Sequence, residues 1–362
     1  MHNTLTEIGK HFCLNGALED YEQIKIGNIN KTYKVSYVTA DGQRRFYVFQ
    51  LVNTFVFKNP REIMKNIDLV TSHIRLAGGD GQTPHYHHTA SGENFVYYGD
   101  DGFWRVMSFI DSVTFNETSD PKIIRSVGSA FGRFQNLLAD FDGSKLYETI
   151  RDFHNTAKRI GTLFDDAKKD PFGRAAEAEN ELEYIASAAK MASELSCRYE
   201  KGEFPIRVTH NDTKANNVLF SRATLSPIAV IDLDTVMPGM AMYDFGDGAR
   251  FIASTAAEDE EDTAKVRLDP DKFAAFSEGY IGEVKDRLTR EELSLMTLGT
   301  FSVTVELASR FLDDYILGDR YFKTDRPKHN LIRARCQLAL AKDISEKYDV
   351  LQSIVKAAAS PA

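Results

Sequence analysis

Apolar and polar positions alternate through the first third of the chain. In Tyr33-Lys34-Val35-Ser36-Tyr37-Val38 every second side chain is large and apolar, and the pattern resumes in Phe46-Tyr47-Val48-Phe49-Gln50-Leu51 after Ala40-Asp41-Gly42. Period-two alternation around an Asp-Gly turn predicts a β-hairpin. A second hairpin is predicted from residues 94–98 and 103–107, joined by Gly99-Asp100-Asp101-Gly102. Between them, Ile63, Ile67, Val70 and Ile74 recur at helical intervals after Pro60, which predicts a helix ending near Arg75. From about residue 120 the texture changes. Residues 129–138, 174–199, 271–284, 290–317 and 330–358 carry helical spacing or strong helix formers, and only 206–235 returns to short apolar strands. The expected class is α+β: a small antiparallel sheet lobe over 1–110, then a large, mainly helical lobe over 111–362.

Composition narrows the function without naming one. The chain has 362 residues, 44 Lys and Arg against 53 Asp and Glu, and a formal charge of -9. A net acidic chain has no broad basic face for neutralising phosphates, so nucleic acid is not the expected partner. No apolar run approaches the roughly 20 residues of a membrane span, so no membrane partner is expected. Residues 1–10 lack the pattern of a secretory signal. Cys13, Cys197 and Cys336 are far apart and form no CxxC pair. Neither a disulfide framework nor a zinc site follows, and a cytoplasmic location is expected.

The densest chemistry lies in RVTHNDTKANNVLF (207–220) and IAVIDLD (228–234). Two short apolar strands flank a polar connection. Paired antiparallel, the start of the first lies beside the end of the second, which brings Asn217 alongside Asp232. An amide oxygen and a carboxylate are hard donors suited to Mg²⁺, with phosphate and water completing its shell. Asp212 lies five residues before Asn217 on the loop entering the same hairpin. A carboxylate there accepts a proton from a hydroxyl near a metal-bound phosphate. His210 reads as a buried residue fixing the loop. Lys214 reads equally as a phosphate contact or a solvated cation. The cluster His85-Tyr86-His87-His88 splits across two faces by alternation and reads as exposed strand or loop. The acidic run 258–262 reads as a solvated loop.

The order and spacing of these motifs resemble the aminoglycoside phosphotransferase and choline kinase superfamily, whose fold is protein-kinase-like. Within it, HNDTKANNVLF (210–220), IDLDTVMPGMAMYDFGD (231–247), RFLDDYILGDRYF (310–322) and GSAFGRFQNLL (128–138) are similar to the N-acetylhexosamine 1-kinases. The resemblance covers residues 10–350. It implies a two-lobed kinase-like fold and ATP- and Mg²⁺-dependent phosphorylation of the anomeric hydroxyl of an N-acetylhexosamine, with nucleotide and sugar as partners. The same machinery on an aminoglycoside, choline or another sugar, or a catalytically silent nucleotide-binding protein, are the alternatives.

Carried onto this sequence, the resemblance makes Asp212 the catalytic base, and Asn217 and Asp232 the magnesium ligands. Asp244-Phe245-Gly246 spells a protein-kinase metal triplet, but the metal carboxylate of this superfamily matches Asp232, so Asp244 is expected to brace the loop. The segment around Gly27, with Asn30 and Thr32, is expected to cradle phosphate; a glycine permits close backbone approach there. Gln50 stands where kinases carry a phosphate-gripping lysine, which leaves Glu62 without its usual partner. The backbone of Ser108, Phe109 and Ile110 is expected to bind adenine. Asp212, Asn28, Asp234, Arg310 and Tyr321 are the expected acceptor contacts. Asn28 stands where the hexosamine kinases tend to carry His.

Overall fold

A computed structural model of the chain describes residues 1–24, 29–99 and 102–360. It has the expected α+β class, with a small antiparallel sheet and a larger set of helices. The chain divides into two compact units. The first comprises Met1–Val113, Ser144–Ile150 and Leu219–Met237; the second comprises Thr114–Gly143, Arg151–Val218 and Pro238–Ala362.

The first unit opens with helix α1 (His2–His11) and strands β1 (Ala17–Ile24), β2 (Lys31–Val38) and β3 (Arg44–Val52). Helix α2 (Pro60–Leu76) follows, then β4 (Val96–Tyr97) and β5 (Phe103–Ser108). The sheet runs β1-β2-β3-β5-β4, every pair antiparallel. Both hairpins form where the alternation places them. The inward set of β2 and β3 (Tyr33, Val35, Tyr37, Tyr47, Phe49) meets Trp104 and Val106 of β5, Leu5 and Ile8 of α1, and Phe12 just after it in one apolar core. Helix α1 lies so close that a Cβ at Gly9 would collide with the Tyr37 hydroxyl. Burying each such side chain contributes about 1.5–3 kcal/mol before entropy is counted.

Two segments remote in sequence complete this unit. Asn66, on α2 and 1% exposed, donates its amide to the carbonyls of Tyr147 (2.8 Å) and Val236 (3.0 Å) and accepts the Tyr147 N–H (2.9 Å). One buried amide, fully satisfied, thereby ties 144–150 and the stretch after Asp234 to the sheet unit.

The histidine cluster lies against the sheet. Tyr86 bridges to Met107, the His87 N–H donates to the Val106 carbonyl, and the His87 ring packs edge-on to Tyr47 and hydrogen-bonds the Ser108 hydroxyl (3.0 Å). His88 pairs with Asp68. Among the described residues, no group of three or more His, Cys, Asp or Glu side chains could hold a metal ion. Burial, then His85 and His88, depresses His87 from 6.5 to about 4. A depressed folded pKa means the unfolded chain takes the proton first, so this group's contribution is present above pH 6.5 and is lost as pH falls toward 4. The thermal midpoint of wild type is therefore expected to fall more steeply over that window than that of His87→Gln. Parallel curves in a melting series would remove His87 as the cause.

The second unit contains α3 (Pro121–Leu137), α4 (Thr156–Lys169), α5 (Glu179–Ala192), α6 (Glu194–Glu200) and β6 (Arg207–Thr209). The interval 206–235 continues with β7 (Val218–Phe220) and β8 (Pro227–Val230), which pair with each other; β9 (Met237–Gly239) pairs with β6. Then come α7 (Ala241–Ala253), α8 (Pro270–Val284), α9 (Arg290–Ser294), α10 (Met296–Ile316), α11 (His329–Glu346) and α12 (Tyr348–Ala359). Three stretches expected as single helices are broken, at Ser193, Leu295 and Lys347. At Leu295 the backbone turns to φ -104°, ψ 7° and the helix restarts at Met296. Helices α3 and α8 touch backbone to backbone, because Gly128 and Gly279 leave no Cβ between them. No described helix is long and apolar enough to cross a membrane.

Candidate active site

The loop after β6 is held from below by a buried carboxylate. Asp244, in the first turn of α7 and 1% exposed, accepts the backbone N–H groups of His210 (2.8 Å) and Asn211 (2.8 Å). Thr213 continues the clamp. Its hydroxyl donates to the Asp244 carbonyl (2.6 Å) and its N–H to Asp247 (2.9 Å). Burial pushes the Asp244 carboxyl up, against the opposing pull of His210 and the two N–H donors. Asp247 is as deeply buried, yet Arg250 and Lys214 hold it below its ordinary value. His210 is fully buried, edge-on to Phe131 and Phe134, and its Nδ1 receives the Asp212 N–H (3.3 Å). Both readings of the loop, Asp244 as brace and His210 as buried support, match this packing.

On that platform Asp212 is half-buried. The Asn217 amide, at the end of a short 3₁₀ turn, donates to the Asp212 carbonyl (2.9 Å) and to Asp212 Oδ2 (3.0 Å). Lys214 Nζ lies 3.2 Å from Asp212 Oδ1. The Asp212 charge, with Glu258 and Asp247 behind it, holds the Lys214 ammonium above its usual range despite burial. Lys214 is thus a permanent cation beside the expected base. The amide orientation also decides what Asn217 offers: its nitrogen is spent on Asp212, so Oδ1 is the atom left to ligate. That suits a hard divalent cation such as Mg²⁺.

Asp232 follows β8 in the first unit. It is solvent-exposed and sits in the left-handed region at φ 63°, ψ 58°. Asn211 shares that conformation at φ 63°. Asp and Asn tolerate it better than most residues, and non-glycine residues held there concentrate at functional sites. Two residues on, Asp234 is 2% exposed and differently employed. Arg105 of β5 grips it with both guanidinium nitrogens, Nη1 on Oδ1 and Nη2 on Oδ2 (3.0 Å), and Asn30 donates to Oδ2 (2.8 Å). Expected on the acceptor, Asp234 instead has both oxygens taken up inside the protein. Arg105 also donates Nε to Gln50 Oε1 (2.9 Å), and Gln50 Nε2 donates to the Thr32 hydroxyl (3.0 Å). Thr32, Gln50, Arg105, Asp234 and Asn30 therefore form one connected chain, in which Thr32 faces Gln50 and Gln50 faces Arg105 across the sheet. Burial works against the Arg105 charge, but Asp234 outweighs it and holds the guanidinium above its ordinary value. Gly27 and Asn28 lie outside the described residues.

At the end of β5 two expected adenine donors are already committed. The Ser108 N–H donates to the His85 carbonyl (3.0 Å) and the Phe109 N–H to the Phe46 carbonyl (3.1 Å). Those two N–H groups are claimed within the first unit, and the Ile110 carbonyl accepts the Ser112 hydroxyl (3.0 Å).

The expected acceptor residues Arg310 and Tyr321 lie in the second unit. The Arg310 guanidinium packs over Phe153 (4.9 Å) and Phe322 (5.7 Å) and, among the described residues, has no carboxylate and no hydrogen-bond partner. Tyr321 is 59% exposed, edge-on to Phe322, with its N–H on Asp314 (2.8 Å). A second arginine joins them: Arg159 of α4 reaches the Phe153 carbonyl (3.4 Å). Burial, then Arg310, depresses the Arg159 guanidinium.

Sequence reasoning missed Arg105 and Arg159. Arg105 had a signal, since a lone cation within the apolar run Phe103-Trp104-Arg105-Val106-Met107 must find a buried counter-charge. Arg159 had none, because its role comes from α4 meeting α10.

Residues 20–276 match the family model described as the phosphotransferase enzyme family. Among solved structures, the chain resembles a microcompartment-associated aminopropanol kinase (13% identity, 97% of this chain and 98% of that one, TM-score 0.64). It also resembles a spectinomycin phosphotransferase solved with ADP and spectinomycin (16%, 98% of each, TM-score 0.56). An ethanolamine kinase of Plasmodium vivax aligns over 88% of this chain and 82% of its own (15%, TM-score 0.56). Identities this low speak to the kinase-like fold alone. With the family model spanning well over half its length, the chain belongs to the phosphotransferase enzyme family.

Proposed function

We propose that this protein is an ATP- and Mg²⁺-dependent kinase that phosphorylates the anomeric hydroxyl of an N-acetylhexosamine. Residues 1–110 bind the nucleotide, and 111–362 carry catalysis and the acceptor. Asp212 takes the hydroxyl proton as the acceptor oxygen bonds to the γ-phosphorus and the bond to the ADP oxygen breaks. Asn217 donates to Asp212 and keeps its carboxylate oriented (3.0 Å). Lys214 sits where a cation steadies the transferred phosphoryl group. Asn217 Oδ1 and Asp232 are the residues that would hold Mg²⁺, which would supply charge neutralisation at the phosphates. Gly27, Asn30, Thr32 and Gln50 are the proposed phosphate contacts, and the backbone of Ser108, Phe109 and Ile110 is the proposed adenine contact. Asn28, Arg310 and Tyr321 are the proposed acceptor contacts.

The observation that carries the acceptor class is the unpaired Arg310 guanidinium between Phe153 and Phe322, with Arg159 beside it. Two arginines with open donors favour an oxygen-rich acceptor such as a sugar, and repel cationic ones such as choline or an aminoglycoside. The test is incubation with Mg-ATP and a panel of N-acetylhexosamines, hexoses, choline and aminoglycosides. The expected product is an acid-labile glycosyl phosphate from N-acetylglucosamine or N-acetylgalactosamine. Turnover of choline or an aminoglycoside in their place retires the sugar assignment.

A further inference from the structure

The buried guanidinium of Arg105 has no part in the chemistry above, yet it touches both ends of the nucleotide apparatus in the first unit. Its Nη1 and Nη2 hold Asp234, in the same turn as Asp232. Its Nε holds Gln50 Oε1 at 2.9 Å. Met64 Sδ takes a further contact, and the Tyr86 ring lies 5.7 Å beneath. With 1% exposure, Arg105 cannot itself reach a ligand.

We infer that Arg105 is a positioning residue for nucleotide binding, acting through Gln50 and the turn carrying Asp232. The inference rests on the reading of Gln50 as a phosphate contact. An amide offers an acceptor at one end and donors at the other. Arg105 occupies the acceptor end, so the nitrogen of Gln50 is turned toward Thr32 (3.0 Å). Without Nε, the amide is free to flip and present its oxygen, which repels phosphate. A guanidinium against the amide oxygen also polarises the N–H donors at the other end, since hydrogen bonds in a chain reinforce each other. The strand that would carry a lysine thus borrows its positive character from the cross-strand neighbour: Gln50 and Arg105 are directly opposed in the β3–β5 ladder. The same guanidinium anchors Asp234 and so fixes the left-handed turn on which Asp232 stands. A buried ion pair serving only stability would need no third arm on a half-buried glutamine.

The test separates the arms of the fork in the full-length protein. Arg105→Lys keeps a cation for Asp234 and removes the Nε donor. Isothermal titration with Mg-ADP is expected to give a Kd raised about tenfold in Arg105→Lys, with far-UV circular dichroism unchanged. Gln50→Ala, at a half-buried position, is expected to lose a similar factor. The double variant is expected to lose no more than the worse single one, because Arg105 works through Gln50. Wild-type Kd in a folded Arg105→Lys, or full additivity in the double variant, overturns the inference. If Arg105→Lys fails to fold, Gln50→Ala decides: an unchanged Kd overturns the inference, and a tenfold loss sustains it. Wild-type protein that binds no Mg-ADP would overturn the nucleotide reading itself, which is a distinct outcome.

Discussion

Asp212→Asn is expected to lower kcat by about 10²–10⁴-fold, leaving the fold and nucleotide affinity near those of wild type. Asn matches Asp in size, so the half-buried position stays filled, and the loop's anchors are elsewhere. Asp244 holds the N–H groups of His210 and Asn211, and Asp247 holds that of Thr213. What disappears is the proton acceptor. The charge beside Lys214 disappears too, while Glu258 and Asp247 still act on its ammonium. A base deletion lowers the chemical step, so single-turnover transfer should fall with kcat, while the Kd for ADP should not move. Near-wild-type single-turnover rates in a folded Asp212→Asn would remove Asp212 from the mechanism.

Much of the molecule was legible where local physics decides the outcome. Alternation around Asp41-Gly42 places β2 and β3, because a period of two has one buried face and the turn sets the register. Pro60 and the spacing of Ile63, Ile67, Val70 and Ile74 give α2 almost to the residue. The polar loop 210–217 was legible as a cluster, and in the structure Asn217 and Lys214 both meet the Asp212 carboxylate. The helix breaks at Ser193, Leu295 and Lys347 were illegible. None has Gly or Pro at the break to announce it. Helix α7 was not foreseen either, since its glycines and aspartates (Asp244, Gly246, Asp247, Gly248) are weak helix formers. Asp234 was assigned to the acceptor because its partners lie 129 and 204 residues away, at Arg105 and Asn30. That the Ser108 and Phe109 N–H groups go to the His85 and Phe46 carbonyls was illegible as well, because a sequence does not show which N–H groups a neighbouring segment will claim.

Asp232 and Asp234, two residues apart, are expected to fail in opposite ways. Asp232→Asn keeps a side chain at home in the left-handed region, on an exposed turn, so stability should hold. Its loss is in transfer, by about 10²–10³-fold, as a carboxylate needed beside the phosphates becomes a neutral amide. Asp234→Ala breaks a bidentate pair whose members are each 2% exposed on their side chains. It strands the Arg105 charge in the core, so unfolding free energy should drop by about 3–5 kcal/mol in urea titrations. Arg105→Met added to Asp234→Ala should restore most of that loss, because the cost lies in the stranded charge and methionine refills the space. The restored variant is the informative one. If Arg105 only stabilised the fold, nucleotide affinity would return with stability. If it positions Gln50, stability returns and Mg-ADP binding stays weak, since methionine has no N–H to offer Oε1.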